Sequence, residues 1–316
     1  MSLLEVRSPG LLTTVQDLGR PGCGPMGVSV SGAADPVALR IGNRLVGNAE
    51  GSAGLEMTLL GGMFLFPERA VVALAGADFG AALDDRPVDL WSSLEVRPGQ
   101  ILRTGPTRTG ARCYLCVQGG IEVKLFLGSA STHLLSGLGG FGGRALCKGD
   151  VLRIGSASGS FRTFRKRWVS GRALEKLAPR KVVRVTPGPQ SEWFSDTELA
   201  SFYAGTYRVA EESNRMGLRL EGHAIPATAY GEMISEGVSL GAVQITAGGS
   251  PIILFVEQQT TGGYPKIANV ISADLHSLGQ LRPRDEMRFE RVGLEAARAL
   301  LVEQEKLLAS KELILG

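Results

Sequence analysis

A polar stretch at residues 257–268 carries the side chains in this sequence that are best suited to chemistry. It reads E-Q-Q-T-T-G-G-Y-P-K-I-A and follows residues 251–256, an apolar run whose length and branched side chains predict a strand. Its candidate substrate-binding residues are Gln258, Gln259, Thr260, Thr261, Gly262, Gly263 and Tyr264. Polar loops on rigid strands are common places for binding, so we predict a binding loop. The alternative is a hairpin turn that merely carries polar side chains.

The residue types in this loop suit a small, partly anionic amide. Lys266 offers a mobile positive charge that could hold an anionic group, and we predict that it is catalytic. The amide of Gln259 and the hydroxyls of Thr260 and Thr261 could orient the substrate. Paired glycines let the backbone take positive φ and approach a ligand, so that nearby N–H groups could stabilise an oxyanion.

Further candidates lie in a second polar cluster, at residues 213–215 and 235–236, and in the continuation of the 257–268 loop as far as residue 274. Asn214 and Arg215 are predicted to bind substrate. The guanidinium of Arg215 can hold a carboxylate through paired N–H groups. Glu236 and Asp274 could orient a group or accept a proton, and we predict that they are catalytic. An alternative for Arg215 and Glu236 is a structural ion pair across a turn.

The composition excludes several classes of protein. The 316 residues carry a formal net charge of +3, which is too small to argue for binding to nucleic acid. Hydrophobic residues make up 44% and charged residues 21%, as in soluble globular proteins. The N-terminus lacks the apolar segment of a secretory signal, and no apolar run approaches a membrane span. We therefore expect a cytoplasmic protein.

The cysteines are predicted to serve packing rather than chemistry. Cys113 and Cys116 have C-x-x-C spacing, but they lie in R-C-Y-L-C-V, which is a strand pattern. Three residues apart on a strand, their side chains point to opposite faces. We therefore predict core cysteines, no metal site and a reducing compartment.

The content of turn-forming residues predicts a mainly β fold. The sequence has 43 glycines and 15 prolines, which suits short strands joined by tight turns. One helix is expected after Asp35, a suitable N-cap followed by Pro36, and it should end at Gly47. A second, amphipathic helix is expected at residues 295–308.

The two halves of the chain resemble each other. Q-I-L-R-T-G, Y-L-C-V-Q-G-G and G-D-V-L-R-I in the first half recur in order as V-Q-I-T, I-L-F-V-E-Q and R-D-E-M-R-F in the second. A duplicated β domain is the simplest explanation. We predict an N-terminal β domain at residues 1–160, a connector at 161–180 and a C-terminal β domain at 181–316. A cleft between two such domains is a usual place for a small-ligand site.

Six longer motifs together resemble one family. They are T-T-V-Q-D-L-G-R-P-G at residues 13–22, S-G-A-A-D-P-V-A-L-R-I-G-N-R-L-V-G-N at 31–48, S-N-R-M-G-L-R-L at 213–220, S-E-G-V at 235–238, Q-T-T-G-G-Y-P-K-I-A at 259–268 and A-D-L-H-S-L-G-Q-L-R-P at 273–283. The chain resembles, over nearly its whole length, the KipA/PxpC family, also described as allophanate hydrolase subunit 2 or the second carboxyltransferase subdomain of urea carboxylase. It departs from the family pattern at Glu257 and Gln258, where D-R is common, and at Arg284, where glycine is usual.

The resemblance implies two tandem cyclophilin-like β-barrel domains and a PxpB/KipI-like partner subunit. With a further PxpA-like subunit, such complexes are 5-oxoprolinases, which open 5-oxo-L-proline to L-glutamate at the expense of ATP. ATP is therefore expected at the level of the complex.

The resemblance leaves two other functions open. The related urea carboxylase domain transfers a carboxyl group from carboxybiotin to urea. Because the biotinyl-lysine motif A-M-K-M is absent from this sequence, that alternative requires a separate carrier. A third possibility is a regulatory protein that binds a KipI-like kinase inhibitor.

Overall fold

The structure is a computed structural model that describes residues 2–156, 164–226 and 233–316. The chain forms two compact units. The first consists of Met1–Arg20, Ser31–Leu177 and Leu307–Gly316, and the second consists of Pro21–Val30 and Ala178–Lys306. A simple division along the sequence would place residues 21–30 in the first unit and residues 307–316 in the second. Residues 21–30 instead belong to the second unit, and residues 307–316 belong to the first. Strands predominate and helices are few, so the mainly β prediction is confirmed.

The first unit is built mainly from two sheets. Its described strands are β1 (Leu3–Ser8), β2 (Leu12–Gln16), β3 (Gly54–Thr58), β4 (Met63–Leu65), β5 (Ala70–Gly76), β6 (Ala82–Leu83), β7 (Arg86–Pro87), β8 (Ser93–Val96), β9 (Ile101–Arg103), β10 (Arg112–Val117), β11 (Ile121–Glu122), β12 (Val151–Ile154) and β13 (Trp168–Val169). One sheet has the order β11-β12-β1-β4-β9-β6-β7, and the other has the order β2-β3-β10-β5-β8. Leu4, Phe64 and Leu115 belong to a buried core to which both sheets contribute.

Local signals set the ends of helix α1 (Pro36–Val46), as predicted. Asp35 Oδ1 accepts a hydrogen bond from the backbone N–H of Ala38 at 2.9 Å, and Pro36 is the first helical residue. Gly47 ends the helix in a left-handed conformation with φ 80°. The apolar face of α1 packs against β5 and β10.

Cys113 and Cys116 lie on opposite faces of β10, as predicted. Cys113 packs in the core to which both sheets contribute, whereas Cys116 packs in the cluster around α1. Both thiols are free, and burial raises the pKa of each well above its usual value. Their positions therefore fit packing rather than shared chemistry.

The second unit contains a closed β-barrel. The described strands of this unit are β14 (Val182–Pro187), β15 (Tyr207–Val209), β16 (Gly217–Glu221), β17 (Glu236–Gly237), β18 (Ala242–Ile245), β19 (Pro251–Leu254), β20 (Thr261–Gly262), β21 (Lys266–Val270) and β22 (Glu286–Arg291). The barrel closes in the order β14-β21-β18-β19-β16-β15-β22, and β17 pairs separately with β20.

Four further helices are described besides α1. They are α2 (Gly171–Lys176), α3 (Asp196–Ala204), α4 (Leu275–Leu278) and α5 (Leu294–Ala309), with 3-10 turns at Gly24–Met26, Ser191–Trp193, Ser272–Asp274 and Lys311–Leu313. The predicted C-terminal helix is confirmed as α5. No helix within the described ranges is both long enough and apolar enough to span a membrane.

The end of the chain belongs to the first unit because it completes that unit's packing. Strand β23 (Ile314–Leu315) pairs with β13, and Leu308 and Leu313 are buried in the cluster around α1. The predicted connector is likewise structured where it is described, since residues 168–169 form β13 and residues 171–176 form α2.

Arg284 lies at a position whose backbone conformation favours glycine. Its backbone has φ 70°, in the left-handed region that residues with a Cβ adopt at a cost. The side chain forms an exposed ion pair with Glu211.

Candidate functional site

Four side chains form a row across neighbouring strands of the barrel. Arg219 of β16 lies opposite Ile252 of β19. Ile252 lies opposite Gln244 of β18, and Gln244 lies opposite Lys266 of β21. Directly opposed residues in antiparallel strands place their side chains on the same face. Because Arg219 is exposed while its neighbour Leu218 is buried, this outer row faces away from the barrel interior.

A β-bulge in β21 brings Lys266 into the outer row. Val243 pairs with Ala268, but the next residue, Gln244, pairs with Lys266, so Ile267 is an extra residue on β21. In a regular ladder Lys266 would lie opposite Ile245, a fully buried residue of the barrel interior. A one-residue shift of register moves a side chain to the other face, and bulges often aim side chains near active sites.

The β17–β20 pair lies over Gln244. A Cβ added to Gly262 would come within 2.6 Å of Gln244 Nε2 and 3.0 Å of Gln259 Nε2. The paired glycines do not use their capacity for positive φ, since neither Gly262 nor Gly263 has positive φ. Gly262 is required for a close approach to two amides instead.

Lys266 and Glu236, two of the predicted catalytic residues, are in direct contact. Lys266 Nζ lies 2.6 Å from Glu236 Oε1; the lysine side chain is buried and the glutamate is 46% exposed. Gln190 Nε2 donates to the same carboxylate oxygen at 2.9 Å, and Gln190 Oε1 accepts from the backbone N–H of Lys266. The hydrogen bond from Lys266, and then that from Gln190, hold the pKa of Glu236 below its ordinary value.

A pocket of about 230 Å³ opens beside the outer row. It is lined by Asn214, Met216, Gly217, Arg219, Gln244, Thr246, Ile252, Leu254, Gln259 and Tyr264. One cation, three side-chain amides, a hydroxyl and a half-exposed aromatic ring thus surround apolar side chains from β19. Such a lining suits a small molecule with a compact apolar body and several polar groups.

Three predicted binding residues, Asn214, Gln259 and Tyr264, are therefore brought together at this pocket. The Oδ1 atom of Asn214 accepts a hydrogen bond from the backbone N–H of Met216 at 2.8 Å. That contact fixes the turn before β16 and leaves the amide nitrogen of Asn214 available to the pocket.

Arg215 does not line the pocket. It is buried and forms an ion pair with Glu257, which is also buried. The alternative of an ion pair between Arg215 and Glu236 is wrong, because Glu236 pairs with Lys266 instead. Arg215 thus fixes the start of the 257–268 loop to the turn before β16.

The Asp274 carboxylate also has a structural partner. It is fully buried and accepts hydrogen bonds from the backbone N–H and the Nε of Arg184, each at 2.9 Å, and from Arg184 Nη2. These contacts engage both oxygens and attach the turn at Ser272–Asp274 to β14. The geometry gives Asp274 a clear role in stability.

The remaining predicted residues hold the β17–β20 pair in place. Gln258 Nε2 donates to the carbonyl of Val238 at 3.1 Å, and the carbonyl of Thr260 accepts from the N–H of Val238 at 3.1 Å. Thr261 lies opposite Gly237 in the ladder. Gly263 is exposed, and a Cβ there would have ordinary contacts of 3.4 Å.

Sequence reasoning missed four polar residues of the site: Gln190, Arg219, Gln244 and Thr246. Gln244 had a readable signal, since a glutamine within V-Q-I-T interrupts an otherwise apolar strand. Arg219 lies in the motif S-N-R-M-G-L-R-L, in which only the first arginine was predicted to bind substrate. Nothing local marks Gln190, whose role depends on the fold alone.

The residues that line the pocket do not fit a nucleoside triphosphate such as ATP. The volume lies below the range of about 300–1,000 Å³ that is usual for ligand sites. Arg219 is the cationic side chain in its described lining, and no group of three or more His, Cys, Asp or Glu in the described ranges could hold a metal ion.

Two bacterial proteins, each named as the C subunit of 5-oxoprolinase, are similar to this chain over nearly the whole of both sequences. That of Haemophilus influenzae is 37% identical over 95% of this chain and 94% of its own length. That of Escherichia coli is 38% identical over 93% of each. The urea amidolyase of Lachancea kluyveri is 33% identical over 98% of this chain, which spans 18% of that protein.

A solved structure and a family description agree with these similarities. The crystal structure of the K. lactis urea amidolyase matches with a TM-score of 0.88 and 32% identity, over 99% of this chain and 21% of that one. The carboxyltransferase domain family, subdomains A and B, matches residues 26–291. Since that match takes in most of the chain, the protein belongs to the carboxyltransferase domain family, subdomains A and B.

Proposed function

We propose that this chain is a subunit of an ATP-dependent 5-oxoprolinase, which converts 5-oxo-L-proline to L-glutamate. The observation that carries the proposal is the identity of 37% over 95% of the chain with a protein named as the C subunit of 5-oxoprolinase. We further propose that the chain works with a PxpB/KipI-like partner subunit and with a PxpA-like subunit, neither of which belongs to this chain.

The chemistry of the pocket supports this substrate. 5-Oxo-L-proline is a small ring with a lactam amide and a carboxylate. A ring of this kind needs apolar contacts for its methylene groups, hydrogen bonds for the amide and a cation for the carboxylate. Ile252 and Leu254 supply the apolar contacts. Gln244 and Gln259 supply the hydrogen bonds, and Arg219 supplies the cation.

Lys266 is the residue that we propose for charge stabilisation during the reaction. Opening the lactam adds one water across the C–N bond: the oxygen goes to the carbonyl carbon and a proton to the nitrogen. Negative charge develops on the carbonyl oxygen, and a fixed cation near it would lower the barrier. We propose that Thr260, Thr261 and the N–H groups of Gly262 and Gly263 assist Lys266.

Glu236 and Asp274 are poorly suited to the proton transfers that their carboxylates would allow. The lowered pKa of Glu236 makes it a weak base, so we propose that it orients Lys266. The carboxylate of Asp274 is held by Arg184, so we leave Asp274 outside the reaction. We propose that ATP acts at the level of the complex.

Reconstitution tests this function directly. The full chain would be co-expressed with its PxpB/KipI-like and PxpA-like subunits, and glutamate release from 5-oxo-L-proline would be measured with and without ATP. We expect release that needs ATP and all three subunits. Equal turnover by the partners without this chain, or no turnover by the complete complex, would contradict the proposal.

A biotin-dependent carboxyltransferase is the second candidate. It is favoured by the match to the carboxyltransferase domain family and by the similarity to urea amidolyase over 98% of this chain. The same preparation would be given a carboxybiotin carrier and urea, and loss of the carboxyl group from the carrier would be followed. Partner binding without either turnover would instead favour regulation of a KipI-like inhibitor.

We also propose that the protein resides in the cytoplasm. Cys23, Cys113, Cys116 and Cys147 are all free thiols, as expected in a reducing compartment. Locating a tagged full-length chain by cell fractionation would test this, and recovery outside the cytoplasmic fraction would contradict it.

A further inference from the structure

We propose that Arg219 and Gln244 form a subsite that selects small cyclic amides bearing a carboxylate, with Arg219 holding the carboxylate and Gln244 the amide carbonyl. The subsite rests on the proposed 5-oxoprolinase function and deepens it, because it assigns substrate selection to two residues outside the predicted set. Both residues line the same pocket and belong to the outer row.

Arg219 is placed to bind an anion. It is exposed, it lines the pocket, and it forms no ion pair with any residue in the described ranges. The other cation of the outer row, Lys266, is already paired with Glu236. A guanidinium binds a carboxylate through two parallel N–H groups. Arg219 is therefore better placed than Lys266 to bind a substrate carboxylate.

Gln244 offers a donor that lacks an acceptor. Its side chain is 2% exposed, and its Nε2 makes no hydrogen bond within the described part of the chain. A buried amide donor without a partner is unfavourable, and a ligand carbonyl in the pocket would supply the missing acceptor. The terminal amide turns about a broad torsion, so its N–H can be presented to the pocket.

The spacing of the two groups fits one small molecule. Gln244 and Arg219 lie on β18 and β16, with Ile252 of β19 between them in register. Adjacent strands are about 4.8 Å apart, which puts the two backbones about 10 Å apart. The side chains reach into the space between, so they can hold two polar groups of one ring while Ile252 contacts its apolar face.

The same geometry distinguishes between substrates. Urea has a carbonyl that Gln244 could bind, but it has no carboxylate for Arg219 and no methylene groups for Ile252. A carboxylate-bearing lactam uses all three residues. The subsite therefore favours 5-oxo-L-proline over urea, and it predicts that removing the carboxylate from the ligand and removing the charge from Arg219 have the same effect.

The test measures binding of three small molecules to the full chain by calorimetry or NMR. The probes are 5-oxo-L-proline, 2-pyrrolidinone, which has the same ring without the carboxylate, and urea. Arg219→Met removes the charge and keeps the length of the side chain, and Gln244→Leu removes the amide. Arg208→Met, at an exposed position of the neighbouring strand β15 outside the pocket, is the matched control.

We expect Arg219→Met to weaken binding of 5-oxo-L-proline by about tenfold to a hundredfold and to leave 2-pyrrolidinone unaffected. Gln244→Leu should weaken both ligands, and Arg208→Met neither. Unchanged melting temperatures would show that the variants are folded. The proposal is overturned if Arg219→Met binds 5-oxo-L-proline like the wild type, or if the wild-type chain and the reconstituted complex both fail to bind it.

The same variants in the reconstituted complex separate the subsite from the function. Turnover of 5-oxo-L-proline with a KM unchanged by Arg219→Met would support the function and exclude the subsite. Binding that depends on Arg219, in a complex that does not turn the ligand over, would support the subsite and exclude the function.

Discussion

Lys266 Nζ lies 2.6 Å from Glu236 Oε1, although the two residues belong to different layers of the second unit. Lys266 is part of the barrel, where a bulge aims it outward, whereas Glu236 is on β17 of the separate β17–β20 pair. The ion pair thus connects the outer row to the strands that lie over it. A change at either residue should alter both the charge beside the pocket and the position of β17.

Replacing Lys266 with methionine should abolish most activity while the fold is kept. Methionine fills the same buried space, and Glu236 is half exposed, so the loss of the ion pair leaves no buried charge. We expect kcat/KM of the reconstituted complex to fall by about 10²-fold. Lys306→Met, at an exposed site on α5, is the control and should have no effect. Wild-type turnover by Lys266→Met would remove this residue from the mechanism.

Adding one methyl group at Gly262 should impair binding, whereas the same change at Gly263 should not. At position 262 the new Cβ would lie 2.6 Å from Gln244 Nε2. At position 263 its nearest contacts within the described ranges, Met233 O and Ser235 Oγ, would be at 3.4 Å. Gly262→Ala must therefore displace the pocket amides. We expect weaker binding of 5-oxo-L-proline with Gly262→Ala only, measured by titration of the full chain. Equal behaviour of the two variants would show that the close approach is unimportant.

The β17–β20 pair should loosen only in acid. Glu236 has a folded-state pKa below the ordinary value of about 4.3, so its ion pair contributes stability above that pH. The contribution is lost as the pH falls through the lowered folded-state pKa. Hydrogen exchange at the Val238 amide, which donates to Thr260, reports on this contact. We expect protection to be constant from neutral pH to about 5 and to decline below about 4.

Glu236→Gln is the control for the acid response. Because glutamine does not titrate, protection at Val238 in this variant should be lower at neutral pH and should lose its dependence on acid. A wild-type protein whose protection already falls near neutral pH would contradict the assignment to Glu236.

Asp274→Asn should reduce stability without reducing the activity of the folded protein. The change breaks a buried ion pair with Arg184, and such losses cost about 3–5 kcal/mol. Urea unfolding of the full chain would measure it. Glu211→Gln breaks the exposed pair with Arg284 and should cost less than about 1 kcal/mol. A large fall in kcat of folded Asp274→Asn would instead support the predicted catalytic role.

Arg284→Gly should stabilise the protein. The backbone there has φ 70°, which costs a residue with a Cβ about 1–2 kcal/mol, while the exposed ion pair with Glu211 contributes little. After the greater chain entropy of glycine is subtracted, we expect a gain of about 0.5–1 kcal/mol in thermal unfolding. Arg282→Gly, in the same turn but at negative φ, should be destabilising. A fall in stability with Arg284→Gly would contradict this account.

Several features could be predicted because their causes are local. The ends of α1 follow from Asp35, Pro36 and Gly47, which act within one turn of the helix. The opposite directions of Cys113 and Cys116 follow from the alternation of side chains along a strand. The polar content of the 257–268 loop likewise marks its members as binding residues without knowledge of the fold.

Partners of charged residues could not be predicted in the same way. Arg215 pairs with Glu257 and Glu236 with Lys266, at separations of 42 and 30 residues along the chain. Asp274 is predicted to be catalytic from its carboxylate and its place after the polar loop, and only the approach of Arg184 from β14 gives it a structural role. Residue type indicates what a side chain can do, but its environment decides which possibility is used.

The sequence by itself determined which family its motifs resemble, that the fold is mainly β, and which chemical groups are available near residue 266. Only the tertiary structure decided that Lys266, Gln244 and Arg219 share one face of the barrel. The physical reason is that strand register is set by pairing between distant segments, and a shift of one residue reverses the face of every side chain. The bulge at Ile267 makes such a shift, so the outer row exists only in the folded chain.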